Sequence, residues 1–218
     1  MIIINRIYFV RHGESEANAT KIFTHEPEAN YNLTEKGIEQ AKYTSEFFKN
    51  IKIDSVYSSQ ILRAYRTATF IVKPKNLSIL KNEKFNELNL GLLEGKPIED
   101  KYLESYNTVI NNWRKGNIEI PFEGGENLIA LANRMRNGIM DIIDLSIEKT
   151  ILVVAHGGII SGALPVICDN VNHLDFYSKH GNHVDNCSIT ICDVNKTAKK
   201  IQIDLIDWNN TSHLLQPV

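Results

Sequence analysis

The sequence has few of the features that mark secreted, membrane-spanning or nucleic-acid-binding proteins. The 218 residues include three cysteines, Cys168, Cys187 and Cys192. This small and odd number argues against a disulfide framework and favours a reducing cytoplasmic compartment. The apolar run at residues 1–4 meets Asn5 at once and is too short for a signal peptide or a bilayer span. With 24 Lys and Arg against 26 Asp and Glu, there is no basic excess for binding nucleic acid or a membrane surface.

Internal repeats, low-complexity tracts and linkers rich in glycine, proline or serine are also absent, so we expect one domain over residues 1–218. Short β-branched runs alternate with longer stretches at helical spacing, which is the pattern of an α/β domain. Thr34 is a candidate N-cap for one helix, and another helix is expected from Glu126. The predicted strands cover residues 1–4, 7–10, 53–57, 76–80 and 150–155, with an edge hairpin of 188–193 and 201–207.

Residues 96–123 differ from this pattern, because they form a polar, mostly helical stretch between two turns marked by glycine. We predict a small inserted cap here. Its side chains have two possible roles, packing against the domain or sorting substrates; those of interest are Tyr102, Tyr106, Trp113 and Arg114.

Two predicted strands end in a histidine followed by glycine, at His12-Gly13 and at His156-Gly157. Ligands of open α/β sheets bind outside the carboxyl ends of the strands, so both imidazoles are expected at one edge. Arg11 precedes the first histidine, and Arg63 lies one helical turn beyond a third strand end. Two guanidinium groups and two imidazoles at one place predict a site for a compact anion, of which phosphate is the natural candidate.

Five motifs in order resemble those of the histidine phosphatase superfamily, the phosphoglycerate mutase-like proteins. They are Arg11-His12-Gly13-Glu14-Ser15-Glu16-Ala17-Asn18, Tyr57-Ser58-Ser59 through Arg63-Ala64 and Thr67-Ala68, Glu87 to Gly95, Gly124-Gly125-Glu126, and Val154-Ala155-His156-Gly157-Gly158. The resemblance implies a three-layer α/β/α sandwich around a mostly parallel sheet, with a small helical cap.

The resemblance also implies a role for each residue of the site. His12 would be the nucleophile that forms a phosphohistidine, and Glu87 would protonate the leaving oxygen and later deprotonate water. The side chains implied to hold the phosphoryl group are Arg11, Arg63, His156 and Asn18. The chemistry asks for the same residue types, because an imidazole attacks only through a free lone pair and nearby arginines disfavour its protonation. This scheme requires no metal and no cofactor.

Other residues offer rival interpretations. Glu83 and Glu94 lie close to Glu87 in sequence and could be the acid instead, although their distances to Gly91 and Gly95 fit the family pattern less well. Ser58 is either a turn residue or a hydrogen-bond partner for an imidazole.

Two further segments need an interpretation. His180, His183 and Cys187 offer only three ligands in a loop, so we do not predict a zinc site there. Residues 23–32 depart from the family pattern, which places any difference on the substrate side of the pocket.

We therefore expect a cytoplasmic phosphatase that acts on a small phosphorylated metabolite. The alternative is a cofactor-dependent phosphoglycerate mutase on the same scaffold, for which the cap is short. A third hypothesis is an inactive phosphate-binding module, although no nucleophile or arginine is missing. No nucleic-acid or membrane partner is expected, and the sequence makes no prediction of oligomeric state.

Overall fold

The computed structural model of the chain describes residues 3–198 and 200–215. Its strands within these ranges are β1 (Ile4–Arg11), β2 (Ser55–Ser58), β3 (Ile79–Lys81), β4 (Lys149–Ala155), β5 (Ile189–Lys196) and β6 (Ile201–Asn210). Its α-helices there are α1 (Glu16–Ala19), α2 (Glu35–Phe48), α3 (Leu62–Val72), α4 (Asp100–Arg114), α5 (Leu128–Ile142), α6 (Gly157–Ile167) and α7 (His173–His180).

The strands form one sheet in the order β3-β2-β4-β1-β5-β6. The pairs β3–β2, β2–β4 and β4–β1 are parallel, while β5 and β6 are antiparallel and close one edge. The predictions of a mostly parallel sheet and of an edge hairpin are confirmed. The strand predicted at residues 1–4 contributes only Ile4 to β1, and Met1 and Ile2 lie outside the described residues.

Both faces of the sheet are covered by helices, as alternate residues of β1 show. Ile7 and Phe9 pack in one apolar cluster with side chains of α5 and α6. Tyr8 and Val10 point to the other face and pack with side chains of α2 and α3. This alternation follows from the two-residue period of a strand and confirms the three-layer sandwich.

The helix starts follow from local capping. The Thr34 side chain accepts a hydrogen bond from the amide of Gly37 and caps α2, as predicted. Helix α5 begins at Leu128, with Asn127 as its cap, rather than at Glu126. Glu126 stays outside the helix because its carboxylate binds the Asn89 amide and the guanidinium of α5 residue Arg134.

The register of the two central strands brings the two histidine-bearing turns together. Arg11 lies opposite Ala155, and the amide of His12 donates to the Ala155 carbonyl at 3.0 Å. His12 and His156 therefore leave adjacent parallel strands at the same edge of the sheet.

Helix α4 occupies most of the segment predicted as a cap. Trp113 is only 1% exposed and donates its indole N–H to the Ile120 carbonyl at 2.7 Å, which anchors the helix to the following turn. None of the helices in the described part of the chain is long and apolar enough to cross a membrane.

Asn5 joins β1 to the connection between α5 and β4. Its side chain is fully buried, donates to the carbonyls of Asp144 (2.9 Å) and Ile147 (3.2 Å), and accepts from the Asp144 amide (3.0 Å).

We predict that Asn5→Ala lowers the free energy of unfolding by about 2–3 kcal/mol, because these backbone groups lose their partner. Urea denaturation measures the change. Asn107→Ala, on the exposed face of α4, is the matched control and should cost far less; equal losses would contradict the assignment.

Candidate active site

A cavity of about 290 Å³ opens at the carboxyl ends of β1 and β4. Five of the predicted site residues line it: Arg11, His12, Asn18, Arg63 and Glu87. The sixth, His156, lies behind His12 with 5.1 Å between the ring centroids and has no exposed surface. The structure thus brings all six predicted residues to one place.

The hydrogen bonds of His12 define its tautomer. Nδ1 lies 2.7 Å from the Gly13 carbonyl oxygen, which can only accept, so Nδ1 carries the proton. Nε2 accepts a hydrogen bond from Nε of Arg63 at 3.0 Å, so it carries the lone pair. The ring is 2% exposed on the cavity wall and presents a nucleophilic nitrogen there.

Both arginines are held by backbone carbonyls yet keep donors free. Arg11 donates through Nη1 to Val184 (2.6 Å), and Arg63 donates through Nη2 to Thr24 (3.0 Å). Nε of Arg11 and Nη1 of Arg63 are buried without a partner in the described structure, as is Nδ1 of His156. Unpartnered buried donors are costly, and a small anion between the two guanidinium groups would satisfy their N–H groups.

Burial and charge act together on the ionisable groups. Burial, followed by the charges of Arg63 and Arg11, keeps the pKa of His12 well below its usual value. Burial is also the largest cause that lowers the pKa of His156, followed by the charges of Arg63, His12, Arg11 and Arg134. Burial also lowers the pKa of Arg63 to about 10, which leaves it protonated at neutral pH. The sequence pointed to the arginines as the cause of the lowered pKa of His12, but burial is the larger cause.

The Glu87 carboxylate lies at the N-terminus of α6. Oε1 accepts from the amides of Leu88 (2.7 Å) and Ile159 (2.9 Å), and Oε2 accepts from the Gly158 amide (3.1 Å). A Cβ at Gly158 would lie 2.7 Å from Oε1, so this position needs glycine for the close approach. Of the three glutamates considered, Glu87 lines the cavity with His12, whereas Glu83 and Glu94 do not.

Glu94 instead holds the segment that departs from the family pattern. Its carboxylate accepts from the hydroxyl of Thr24 (3.0 Å) and from the amide of His25 (2.7 Å). Because the Thr24 carbonyl in turn accepts from Arg63, this segment supports the anion side of the cavity as well as the substrate side.

Asn18 is oriented by its own turn. Its Oδ1 accepts from the amide of Ser15 (3.1 Å) and from Nδ2 of Asn186 (3.3 Å), which directs the oxygen away from ligand binding. The side-chain nitrogen Nδ2 of Asn18 makes no hydrogen bond to the residues that the structure describes. It can therefore donate to a ligand in the cavity.

A sequence profile of the histidine phosphatase superfamily (branch 1) matches residues 7–209. The chain belongs to this superfamily. It is 29% identical over 151 residues to phosphoserine phosphatase 1 of Hydrogenobacter thermophilus, covering 69% of this chain and 70% of that protein. It is 30% identical over 192 residues to a Proteus mirabilis protein named "probable phosphoglycerate mutase GpmB", covering 86% and 84%.

A similar fold occurs in the crystal structure of phosphoserine phosphatase from Entamoeba histolytica in complex with 3-phosphoglyceric acid. The TM-score is 0.77 at 23% sequence identity, and the match covers 97% of this chain and 100% of the other. The phosphoglycerate mutase-like fold expected from the motifs is confirmed. The superfamily includes both phosphatases and mutases.

Some residues of this histidine phosphatase site were missed from the sequence. Ser59, rather than Ser58, contacts His156, with 2.8 Å between Oγ and Nε2; the hydroxyl of Ser58 donates to the Ser59 carbonyl. Ser59 is the first residue after β2, and its position at a strand end is a sequence signal that could have identified it. Asn186, which donates to the His12 carbonyl at 2.9 Å, gave no such signal.

Helix α4 contributes one aromatic wall to the cavity. Tyr106 lines the cavity and stacks on Phe23 with 5.3 Å between ring centroids, and burial raises the pKa of its hydroxyl to about 12. Trp113 does not line the cavity and packs in the core. Arg114 donates to Asn182 at 2.8 Å, and Asn182 lines the cavity.

The segment with His183 and Cys187 shows other interactions. His183 is exposed and lies 3.3 Å from the Asp185 carboxylate, while Cys187 is buried. Within residues 3–198 and 200–215 no group of three His, Cys, Asp or Glu side chains is arranged to hold a metal ion.

We predict that His12 is neutral at pH 6.5 and protonated at Nδ1, because its pKa is lowered and the Gly13 carbonyl accepts from that atom. Imidazole ¹⁵N shifts in a long-range ¹H–¹⁵N spectrum report both properties. The same protein unfolded in urea is the control, in which about half of each histidine should be protonated at that pH. An Nε2–H tautomer or a half-protonated His12 in the folded protein would contradict the assignment.

Proposed function

We propose that this protein is a phosphomonoester hydrolase that acts on a small phosphorylated metabolite through a phosphohistidine at His12. The observation that carries the proposal is the set of three buried, unpartnered polar atoms beside the unprotonated Nε2 of His12. They belong to Arg11, Arg63 and His156. A tetrahedral phosphoryl group has several oxygens to offer such atoms, whereas water would leave the two guanidinium charges unbalanced.

Four side chains would hold the phosphoryl group, and two would carry the reaction. The binding set is Arg11, Arg63, His156 and Asn18. Nε2 of His12 attacks phosphorus while the bond to the ester oxygen breaks, and Glu87 gives that oxygen a proton. A water molecule then attacks phosphorus while Glu87 takes a proton from that water. The P–N bond breaks and phosphate is released.

Hydrolysis is favoured over a mutase reaction by the small cover of the cavity. A mutase must keep its phosphoenzyme from water until the second acceptor arrives, yet residues 96–123 contain a single α-helix, α4. The named relatives include both activities, so the mutase is the second candidate. Phosphoserine and 3-phosphoglycerate are the first substrates to test, and release of inorganic phosphate against isomerisation separates the two functions.

We infer that the whole chain works as one domain, with residues 96–123 as its cap. We also propose a cytoplasmic location. All three thiols are buried and none forms a disulfide, which supports a reducing compartment.

His12→Ala should abolish nearly all turnover, because no other side chain offers the same lone pair to phosphorus. In the unaltered enzyme, brief reaction and an acid-free quench should trap phosphate on His12, which peptide mass spectrometry detects. His183→Ala, on the cavity rim and exposed, serves as the histidine control and should keep the phosphoenzyme. Substantial turnover by His12→Ala, or phosphate on another residue, would refute the nucleophile.

Glu87→Gln should slow hydrolysis of alkyl phosphates by about 10²-fold or more, because an alkoxide leaves poorly without a proton. An activated aryl phosphate needs no such help at the first step, so phosphohistidine should accumulate with that substrate. Rapid-quench measurements give both rates. Glu83→Gln, nearby and exposed, is the matched control and should change neither. Equal losses on both substrates without accumulation would assign Glu87 a shaping role only.

A further inference from the structure

Only one of the two ring nitrogens of His156 has a hydrogen-bond partner among the described residues. Its ring is fully buried, Nε2 lies 2.8 Å from the hydroxyl oxygen of Ser59, and Nδ1 is buried with no partner in the described structure. Which nitrogen carries the proton decides what this residue can offer to a phosphoryl oxygen, since only an N–H can donate.

The neighbours of Ser59 decide that question. Oδ1 of Asn86 lies 2.8 Å from the Ser59 hydroxyl and also accepts from the Gln60 amide at 2.9 Å, which identifies it as an oxygen. The one proton of the hydroxyl therefore goes to Asn86. The same hydroxyl oxygen accepts from the Ile61 amide at 3.1 Å and has one lone pair left. His156 must fill that lone pair as the donor, through Nε2–H.

Asn86 itself is held firmly. Its carbonyl accepts from Arg134 at 2.9 Å, and Arg134 also donates to the Glu87 carbonyl at 3.2 Å and to the carboxylate of Glu126. The series of hydrogen bonds from Asn86 through Ser59 to His156 thus begins on the backbone segment that also carries Glu87. Rotation of the Asn86 amide would break its bond to Gln60.

We propose that Ser59 and Asn86 are positioning residues that hold His156 as the Nε2–H tautomer, so that a phosphate group binds with uptake of one proton at Nδ1 of His156. This inference rests on the proposed function, because it requires the phosphoryl group to lie against His156. In the free protein Nδ1 is a bare lone pair and would repel a phosphoryl oxygen. Once protonated, it becomes a cationic donor.

The charges around His156 make the uptake conditional on the anion. The cationic groups that act on it are Arg11 on β1, Arg63 on α3 and Arg134 on α5, with the ring of His12 alongside; Glu87 lies over the first turn of α6. Burial and these cations keep the pKa of His156 low in the free protein. A phosphate dianion offsets Arg11 and Arg63 and raises that pKa, which favours the proton only in the complex.

Imidazole ¹⁵N shifts of His156 in the intact protein, without and with saturating inorganic phosphate, test the proposal directly. The expected result is a neutral Nε2–H ring in the free protein and a ring protonated at both nitrogens in the complex. An Nδ1–H tautomer in the free protein, or a neutral ring in the complex, would overturn it. This measurement needs no variant.

Phosphate affinity against pH gives a second readout, measured by calorimetry in buffers of different ionisation enthalpy. Above about pH 7.5, where the ligand is mainly a dianion, the Kd should rise with pH, by about tenfold per unit and with about one proton taken up as long as His156 is protonated in the complex. Ser59→Ala frees His156 to adopt the Nδ1–H tautomer, so both effects should shrink, while Ser59→Thr keeps the hydroxyl and should restore them. Glu87→Gln should retain the uptake; its loss there would place the proton on Glu87 and refute the proposal.

The two proposals fail separately. Turnover through phosphorylated His12 with no protonation of His156 would overturn this inference and leave the hydrolase standing. Phosphate-induced protonation of His156 in a protein without turnover would support this inference and refute the hydrolase.

Discussion

The parallel pairing of β1 with β4 sets Arg11 opposite Ala155, and the site depends on this register. Because side chains alternate along a strand, a slip by one residue would send the β1 side chains to the wrong layer and separate the two histidine turns. The strands are specified by what they bury, since neighbouring residues of β1 pack in two different apolar clusters. The placement of His12 beside His156 therefore follows from the packing of the whole sandwich.

The electrostatics of the site follow from that placement. Two guanidinium groups and two imidazoles share a buried volume in which each cation lowers the proton affinity of the rings. Arg63 is 3% exposed and Arg11 is half-buried, yet each keeps one buried N–H without a partner among the residues that the structure describes. Such an arrangement costs stability in the empty protein, and an anion removes that cost on binding. The same unmet groups that weaken the fold locally would thus supply affinity for the phosphoryl group of the proposed substrate.

The sequence was sufficient for the residues that follow a strand end, because chain direction alone fixes which edge of a parallel sheet they reach. Arg11, His12 and His156 are of this kind, and Arg63 comes one helical turn later. Glu87 needed the family motif, since it lies on an irregular segment with no period to read. Its rivals could be set aside only once the structure showed Glu94 bound to the segment around Thr24.

Ser59 follows a strand end and could have been found by the same argument, but other members of the site act through atoms that carry no sequence pattern. Asn186 and Arg134 support the site by donating to backbone carbonyls, which any residue possesses. Ser59 and Asn86 bind each other from different segments, so neither sequence position points to the other. Trp113 was a candidate for the pocket because it is a large aromatic residue. Its indole N–H instead donates to the Ile120 carbonyl, and its ring packs in the core.

The cavity consequently has two halves of different origin. The anion half is fixed by strand ends and by the start of α6, where a Cβ at Gly158 would collide with Glu87. The other half is formed by Tyr106 from α4, by Phe23 and by Asn182, all from segments joined to the sheet only through loops. The pairing of the backbone at Ile22 with Pro97 ties the segment of Phe23 to the residues that lead into α4. Sequence change at Tyr106 can therefore alter the shape of this half alone, whereas change next to Phe23 also reaches the Thr24 carbonyl that holds Arg63.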